Sequence, residues 1–261
     1  MKKVFMGLLV LALVAGLSYW FFPMTIQAGL KVIKTKLLDQ RPHYNVADRL
    51  NQFGDVAAER LRPYFQQAKL DFPPLALSLL AFKDTKRLEL YASDAQGSWH
   101  FIRSYTIQAA SGVLGPKLRE GDKQVPEGIY QIELLNPNSL YHVSLRLNYP
   151  NTFDQQMAVR DGRTQLGSDI MIHGKNVSIG CLAMGDEAAE ELFALAAWVG
   201  TEQVKVVIAP TDFRIKPASL SANLPVWTES LYQSLNVELT QYPPVAAPLQ
   251  GLPQVSTRHL N

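Results

Sequence analysis

Cysteine occurs once in the 261 residues, at Cys181. One cysteine excludes an intramolecular disulfide and any cysteine-rich metal cluster. Charge is sparse as well: charged residues make up 18% of the chain, and 25 basic against 23 acidic residues leave a net charge of only +2. No run of Lys and Arg interleaved with aromatics occurs, so a nucleic-acid partner is not expected. No internal repeat is present, which removes solenoids and propellers. With 47% hydrophobic residues, wholesale disorder is excluded, and one catalytic-sized domain with an appendage fits the length. Nothing in the sequence calls for a cofactor.

The first residues are more specific. Lys2 and Lys3 precede Val4 to Phe22, nineteen residues without a charge. A positive start followed by an apolar segment marks export. The segment lies between a signal-peptide core of about 7–15 residues and a membrane-spanning helix of about 20. Residues 1–22 are therefore expected to be a signal anchor in the inner membrane or a cleaved signal peptide, with the body of the protein periplasmic. In an oxidising compartment a free thiol is a liability unless it is buried or used.

Residues 23–74 are expected to be a spacer and a helical segment. Asn45 suits an N-cap, and Val46, Leu50, Phe53, Ala57 and Leu61 form one stripe at helical spacing, with Pro63 ending or kinking the helix. From residue 75 the texture changes to strands: an apolar run over 75–82, alternation over 87–91 and 99–107, and further strands at 129–135, 143–147, 169–173 and 204–208. A long Gly- and Pro-containing loop spans 112–128. A helix from about Glu187 to Val199, capped by Asp186 and stopped by Gly200, follows the cysteine, with Phe193 and Trp198 on its core face. Residues 211–261 form a Pro-punctuated extension of weak pattern, and Asp154 and Asp161 suit turns in a polar loop.

The run Ile172-His173-Gly174-Lys175-Asn176-Val177-Ser178-Ile179-Gly180-Cys181 concentrates the chemistry. A lone cysteine here has three uses: nucleophile, inert core residue or intermolecular crosslink. A thiol with an ordinary pKa of about 8.5 needs a base to attack at neutral pH. His173, at the end of a strand, is placed to take that proton and return it to a leaving amine. Gly174 and Gly180 let the backbone come close, and the amides of Ile179, Gly180 and Cys181 are candidates to face a developing oxyanion. The N-terminus of the following helix is a candidate to stabilise the thiolate. A zinc site would need His142, His173 and Cys181 to converge without the usual close ligand spacing, so no metal is expected. His142 either orients substrate or sits on a strand. Tyr141 and Tyr149 either line a groove or pack in the core.

The His173-Gly174 pair followed by Ser178-Ile179-Gly180-Cys181 resembles the active-site signature of the L,D-transpeptidase (YkuD-type) catalytic domain family. Gly115-Pro116 through Asp122, then Val125-Pro126-Glu127-Gly128-Ile129-Tyr130, resembles its strand-entry element. Asn136-Pro137-Asn138-Ser139, Tyr141-His142, Tyr149-Pro150-Asn151 and Gly162-Arg163 are similar to its YafK-like branch. The resemblance covers roughly residues 75–210 and implies a mostly β (α+β) catalytic domain, a β-sandwich or barrel-like sheet with one main helix after the cysteine loop. It implies Cys181 as nucleophile, His173 as general base and acid, Gly174 as an orienting backbone element, and Ile179 and Gly180 as oxyanion donors. Ser178, Tyr141, His142 and Tyr149 are the residues then expected to touch substrate. The family has His where Ile179 stands, and Arg or Asn after the cysteine where this chain has Leu182-Ala183-Met184. Arg163, Lys117 and Arg119 are the cations then expected to take a substrate carboxylate.

The implied chemistry is acyl transfer on peptidoglycan stem peptides, through a Cys181 thioester formed at the L-centre of meso-diaminopimelate. A murein hydrolase or amidase that releases wall-attached lipoprotein to water, and a non-catalytic wall-binding module, are the alternatives.

Overall fold

The alternation at residues 75–107 becomes three antiparallel strands in the computed structural model, which describes residues 42–217 and 220–245: β1 (Leu77–Phe82), β2 (Arg87–Ser93) and β3 (Trp99–Thr106). The expected anchor over residues 4–22 and the end of the expected extension, 246–261, lie outside the described residues. Among the described residues no helix is long and apolar enough to cross a membrane.

The remaining strands are β4 (Ala109–Ala110), β5 (Gly128–Asn136), β6 (Ser144–Leu147), β7 (Met171–His173), β8 (Leu182–Ala183) and β9 (Val204–Ala209). They join one curled sheet in the order β3-β2-β1-β9-β5-β6-β7-β8-β4. β5 makes the curl. Its first half, Gly128 to Gln131, pairs with β9; its second half, Ile132 to Asn136, pairs with β6, with a register shift between Ile132 and Leu134. One strand thus serves two half-sheets, and the irregularity bends it from one to the other.

Helix α1 (Val46–Ala68) and helix α3 (Asp186–Val199) cover one face, and α4 (Thr228–Leu239) covers the other face of the β1–β9 half. β1 is buried at every position. Leu77, Leu79 and Ala81 pack toward α1 and α3, while Leu80 and Phe82 pack with Trp227, Leu231, Tyr232 and Leu235. Burial on both faces accounts for the continuous apolar run in a strand that would otherwise alternate.

Four local expectations change. Helix α1 continues through Pro63 to Ala68. Proline withdraws one bond from the Glu59 carbonyl, but Glu59 and Pro63 are both exposed, so the freed acceptor is open to solvent. Asn151 and Asp154 build a reciprocal capping box for a further helix, α2 (Thr152–Arg160), in place of a polar loop. Only Ala158 of α2 is buried, so the helix leaves no apolar stripe to read. In the expected extension, Leu231, Tyr232, Leu235 and Leu239 are the buried hydrophobic residues of α4 that complete the second core. Finally, Gly185 is the N-cap of α3; the Asp186 side chain instead accepts from the Lys175 amide at 2.9 Å and pairs with Lys175 Nζ at 2.5 Å.

Candidate active site

β6, β7 and β8 lie side by side, with Leu145, Ile172 and Leu182 in one row of paired positions. All three are fully buried on the core face. Side chains alternate along a strand, so the flanking rows face the other way. One such row holds Ser144, His173 and Ala183; the next holds Arg146 and Met171. Continuing the β7–β8 register by one residue puts Cys181 beside Met171. A contact of Ser144 Oγ with Met171 Sδ at 3.3 Å ties the two rows together on this face. Cys181 and His173 are therefore diagonal neighbours on one sheet face.

The His173 ring is fixed from two sides. Nδ1 lies 2.6 Å from the Gly174 carbonyl oxygen. A carbonyl only accepts, so Nδ1 carries the proton and Nε2 presents a lone pair. Tyr141 stacks on the ring at 4.7 Å between centroids, tilted by 33°, and His173 is 2% exposed. Burial pushes its pKa below the ordinary value, and the Gly174 hydrogen bond does not offset this. The resting imidazole is neutral and able to accept a proton.

Cys181 is part-exposed. Burial pushes its thiol pKa up, against the opposing effect of a backbone hydrogen bond from Met171. The thiol donates weakly to the Asp169 carbonyl oxygen at 3.7 Å. Thiol and imidazole are both neutral at rest, so this thiol would need a base in order to act as a nucleophile.

The backbone around the cysteine is held by two serines. Ser178 Oγ donates to the Cys181 carbonyl oxygen at 2.7 Å and accepts from the Cys181 amide at 3.2 Å. Ser111 Oγ accepts from the Gly180 amide at 2.6 Å, and the Ser111 amide reaches Ser178 Oγ at 3.2 Å. Gly180 has φ +105°, a conformation that suits glycine. Ser178, expected to touch substrate, is thus an internal brace of the loop. The Gly180 amide, expected to face an oxyanion, is occupied by Ser111 at rest. Ile179 is 72% exposed at the rim of the loop. Gly174 leaves no room for a side chain: an added Cβ would meet Asp186 Oδ1 at 2.6 Å, the Tyr141 carbonyl oxygen at 2.7 Å and His142 Cβ at 2.9 Å.

Several residues expected at the site are engaged elsewhere. His142 turns to Glu190, with Nε2 2.9 Å from Oε1, inside an ion cluster that includes Arg60. Tyr149 is buried and donates its hydroxyl to the Leu166 carbonyl oxygen at 3.1 Å; it secures the segment before β7 and lines an open pocket with Glu133, Asn148 and Pro150. Arg163 is held by Asp161 and by the Leu118 carbonyl oxygen at 2.8 Å. Lys117 is buried on Asp122 at 2.5 Å and on the Arg119 carbonyl oxygen at 2.8 Å. The N-terminus of α3 meets Lys175, whose carbonyl oxygen accepts from the Gly185 amide at 2.9 Å, so its dipole falls on the Gly174–Lys175 turn and not on the thiol. Ser111, Asp169, Met171 and Arg146 carry no motif; only strand pairing and loop closure bring them to Cys181.

Residues 79–208 match the family model described as the L,D-transpeptidase catalytic domain (YkuD). The chain is 33% identical over 178 residues to YafK of Escherichia coli K12, a protein whose name places it among the L,D-transpeptidases. The match covers 65% of this chain and 70% of that one. Among solved structures, the helical cell shape determining protein Pgp2 (K307A mutant) of Campylobacter jejuni is similar at 19% identity and TM-score 0.43, over 70% of this chain and 62% of that one. L,D-transpeptidase 1 of Mycobacterium tuberculosis is similar at 17% identity and TM-score 0.30, over 51% of this chain and 62% of that one.

Proposed function

Because this chain belongs to the L,D-transpeptidase family, we propose that it is a periplasmic cysteine acyltransferase of peptidoglycan, held at the inner membrane by residues 4–22, and that Cys181 and His173 perform the chemistry. One observation carries the proposal. A partly exposed thiol and a buried neutral imidazole share a sheet face, and the imidazole's proton is placed on Nδ1 by the Gly174 carbonyl.

In the first half-reaction Cys181 Sγ attacks the carbonyl carbon at the L-centre of meso-diaminopimelate in a stem peptide, and His173 Nε2 takes the thiol proton. The tetrahedral oxyanion collapses, the carbon–nitrogen bond breaks, and His173 returns the proton to the departing amine. A thioester remains on Cys181. In the second half-reaction an amine attacks the thioester, His173 again takes the proton, and the thiol leaves. The amine of a D-centre gives a crosslink or exchange product. Water in the same role gives hydrolysis, including release of a lipoprotein joined to the wall through that carbonyl.

The purified domain, incubated with muropeptides with and without an added D-amino acid, tests the assignment by mass spectrometry. Exchange products that contain the added amino acid are expected. Trimmed products alone would reassign the protein as a murein hydrolase, and unchanged muropeptides would favour a wall-binding module.

A further inference from the structure

Two of the three cations expected to meet a substrate carboxylate, Arg163 and Lys117, are committed to Asp161 and Asp122, and the third, Arg119, is exposed on the loop before β5. The sheet register offers another. Arg146 on β6 pairs with Met171 on β7 and, on its other side, with Leu134 on β5. The row Leu134, Arg146, Met171, Cys181 thus crosses the site face, with Arg146 and Cys181 two strands apart, about 10 Å between backbones. Arg146 is only loosely held. Nε lies 3.3 Å from Glu133 Oε2, and Nη1 lies 3.6 Å from Asp169 Oδ1. Nε is buried with no hydrogen-bond partner. Both acidic neighbours are more than half exposed, so these pairs contribute little and are readily displaced. Asp169 is also the residue whose carbonyl accepts the Cys181 thiol.

A guanidinium with spare donors, flanked by two exposed carboxylates, complements a zwitterion: a carboxylate on the arginine and an ammonium on the acids. Resting on the assignment of Cys181 to the L-centre carbonyl of meso-diaminopimelate, we propose that Arg146 binds the carboxylate at the free D-centre of that same residue, with Glu133 and Asp169 facing its ammonium. The D-centre sits at the far end of the diaminopimelate side chain from the attacked carbonyl, as Arg146 sits along the row from Cys181. Arg146 is thus a specificity residue for the acyl donor: it selects stems whose D-centre carboxylate is free over those in which it is amidated.

The test is single-turnover acylation of Cys181, followed by intact-protein mass, with two synthetic stem tetrapeptides that differ only in amidation of the D-centre carboxyl. Wild-type protein is expected to acylate faster with the free acid by about 10–100-fold, the range of a lost charge-assisted hydrogen-bond partner. Arg146→Gln is expected to acylate with both peptides at the wild-type rate for the amide, and Arg146→Lys to recover part of the preference. Unchanged thermal melting of the variants shows that the fold is intact. A preference kept by Arg146→Gln, an equal loss on both peptides, or an effect confined to thioester release by an amine acceptor would overturn the proposal. Absence of any adduct in the wild type would overturn the assignment of Cys181 on which it rests.

Discussion

Cys181→Ala leaves a folded protein that turns over no muropeptide, with a loss of at least about 10⁴-fold, because no other group in the row can form the covalent intermediate. The thiol's one hydrogen bond as donor is the 3.7 Å contact to the Asp169 carbonyl. The loop geometry instead depends on Ser178 Oγ, which bonds the amide and carbonyl of residue 181, and both of those groups survive the substitution. Stability should therefore change by no more than about 1 kcal/mol. Product quantification by chromatography, paired with a thermal melt, checks both halves. A variant that retains a tenth of wild-type turnover would remove Cys181 from the mechanism.

His173→Gln is expected to lower acylation by about 10²–10⁴-fold at pH 7, the usual contribution of a positioned base. Glutamine keeps much of the volume beneath Tyr141 but presents no basic nitrogen. The pH profile carries a second expectation. Burial lowers the His173 pKa below 6.5, and the neutral ring is the active form. Wild-type acylation should rise with pH through a value below 6.5 and be level at pH 7. In the variant that limb disappears. Burial also raises the thiol pKa, so the variant's deficit should shrink only in alkaline solution, where thiolate forms without a base. The stability linkage has the same origin. With the folded pKa below the unfolded one, the unfolded chain binds more protons, and His173 costs stability as pH falls from 6.5 through its folded pKa. Equal acylation by wild type and His173→Gln from pH 5 to 8 would refute the assignment.

Much of the fold was readable because the strands announce themselves. The apolar run at 77–82 and the alternation at 87–91 and 99–106 follow directly from burial on one face or two. The helices divide by what they bury. α1 and α3 carry broad apolar stripes and were legible; α2 buries one residue, and α4 is bracketed by prolines that suggest an irregular tail. The proposed nucleophile and base stand out as residue types, since a lone cysteine near His-Gly has few uses. Their surroundings do not. The pairing of the Gly180 amide with Ser111 spans 69 positions, and the row that brings Arg146 toward Cys181 exists only after β6, β7 and β8 have paired. Arg163 and Tyr149 show the converse. Their residue types suit substrate binding, but a nearby carboxylate and a backbone carbonyl claim their polar atoms.

Intact-protein mass spectrometry, after the domain is mixed with a meso-diaminopimelate stem tetrapeptide, tests the central claim most directly. A mass increase equal to the stem acyl group, mapped to Cys181, discharged by hydroxylamine and absent in Cys181→Ala, is the predicted result. An unmodified protein that still processes the peptide, or an adduct that persists in Cys181→Ala, would contradict it.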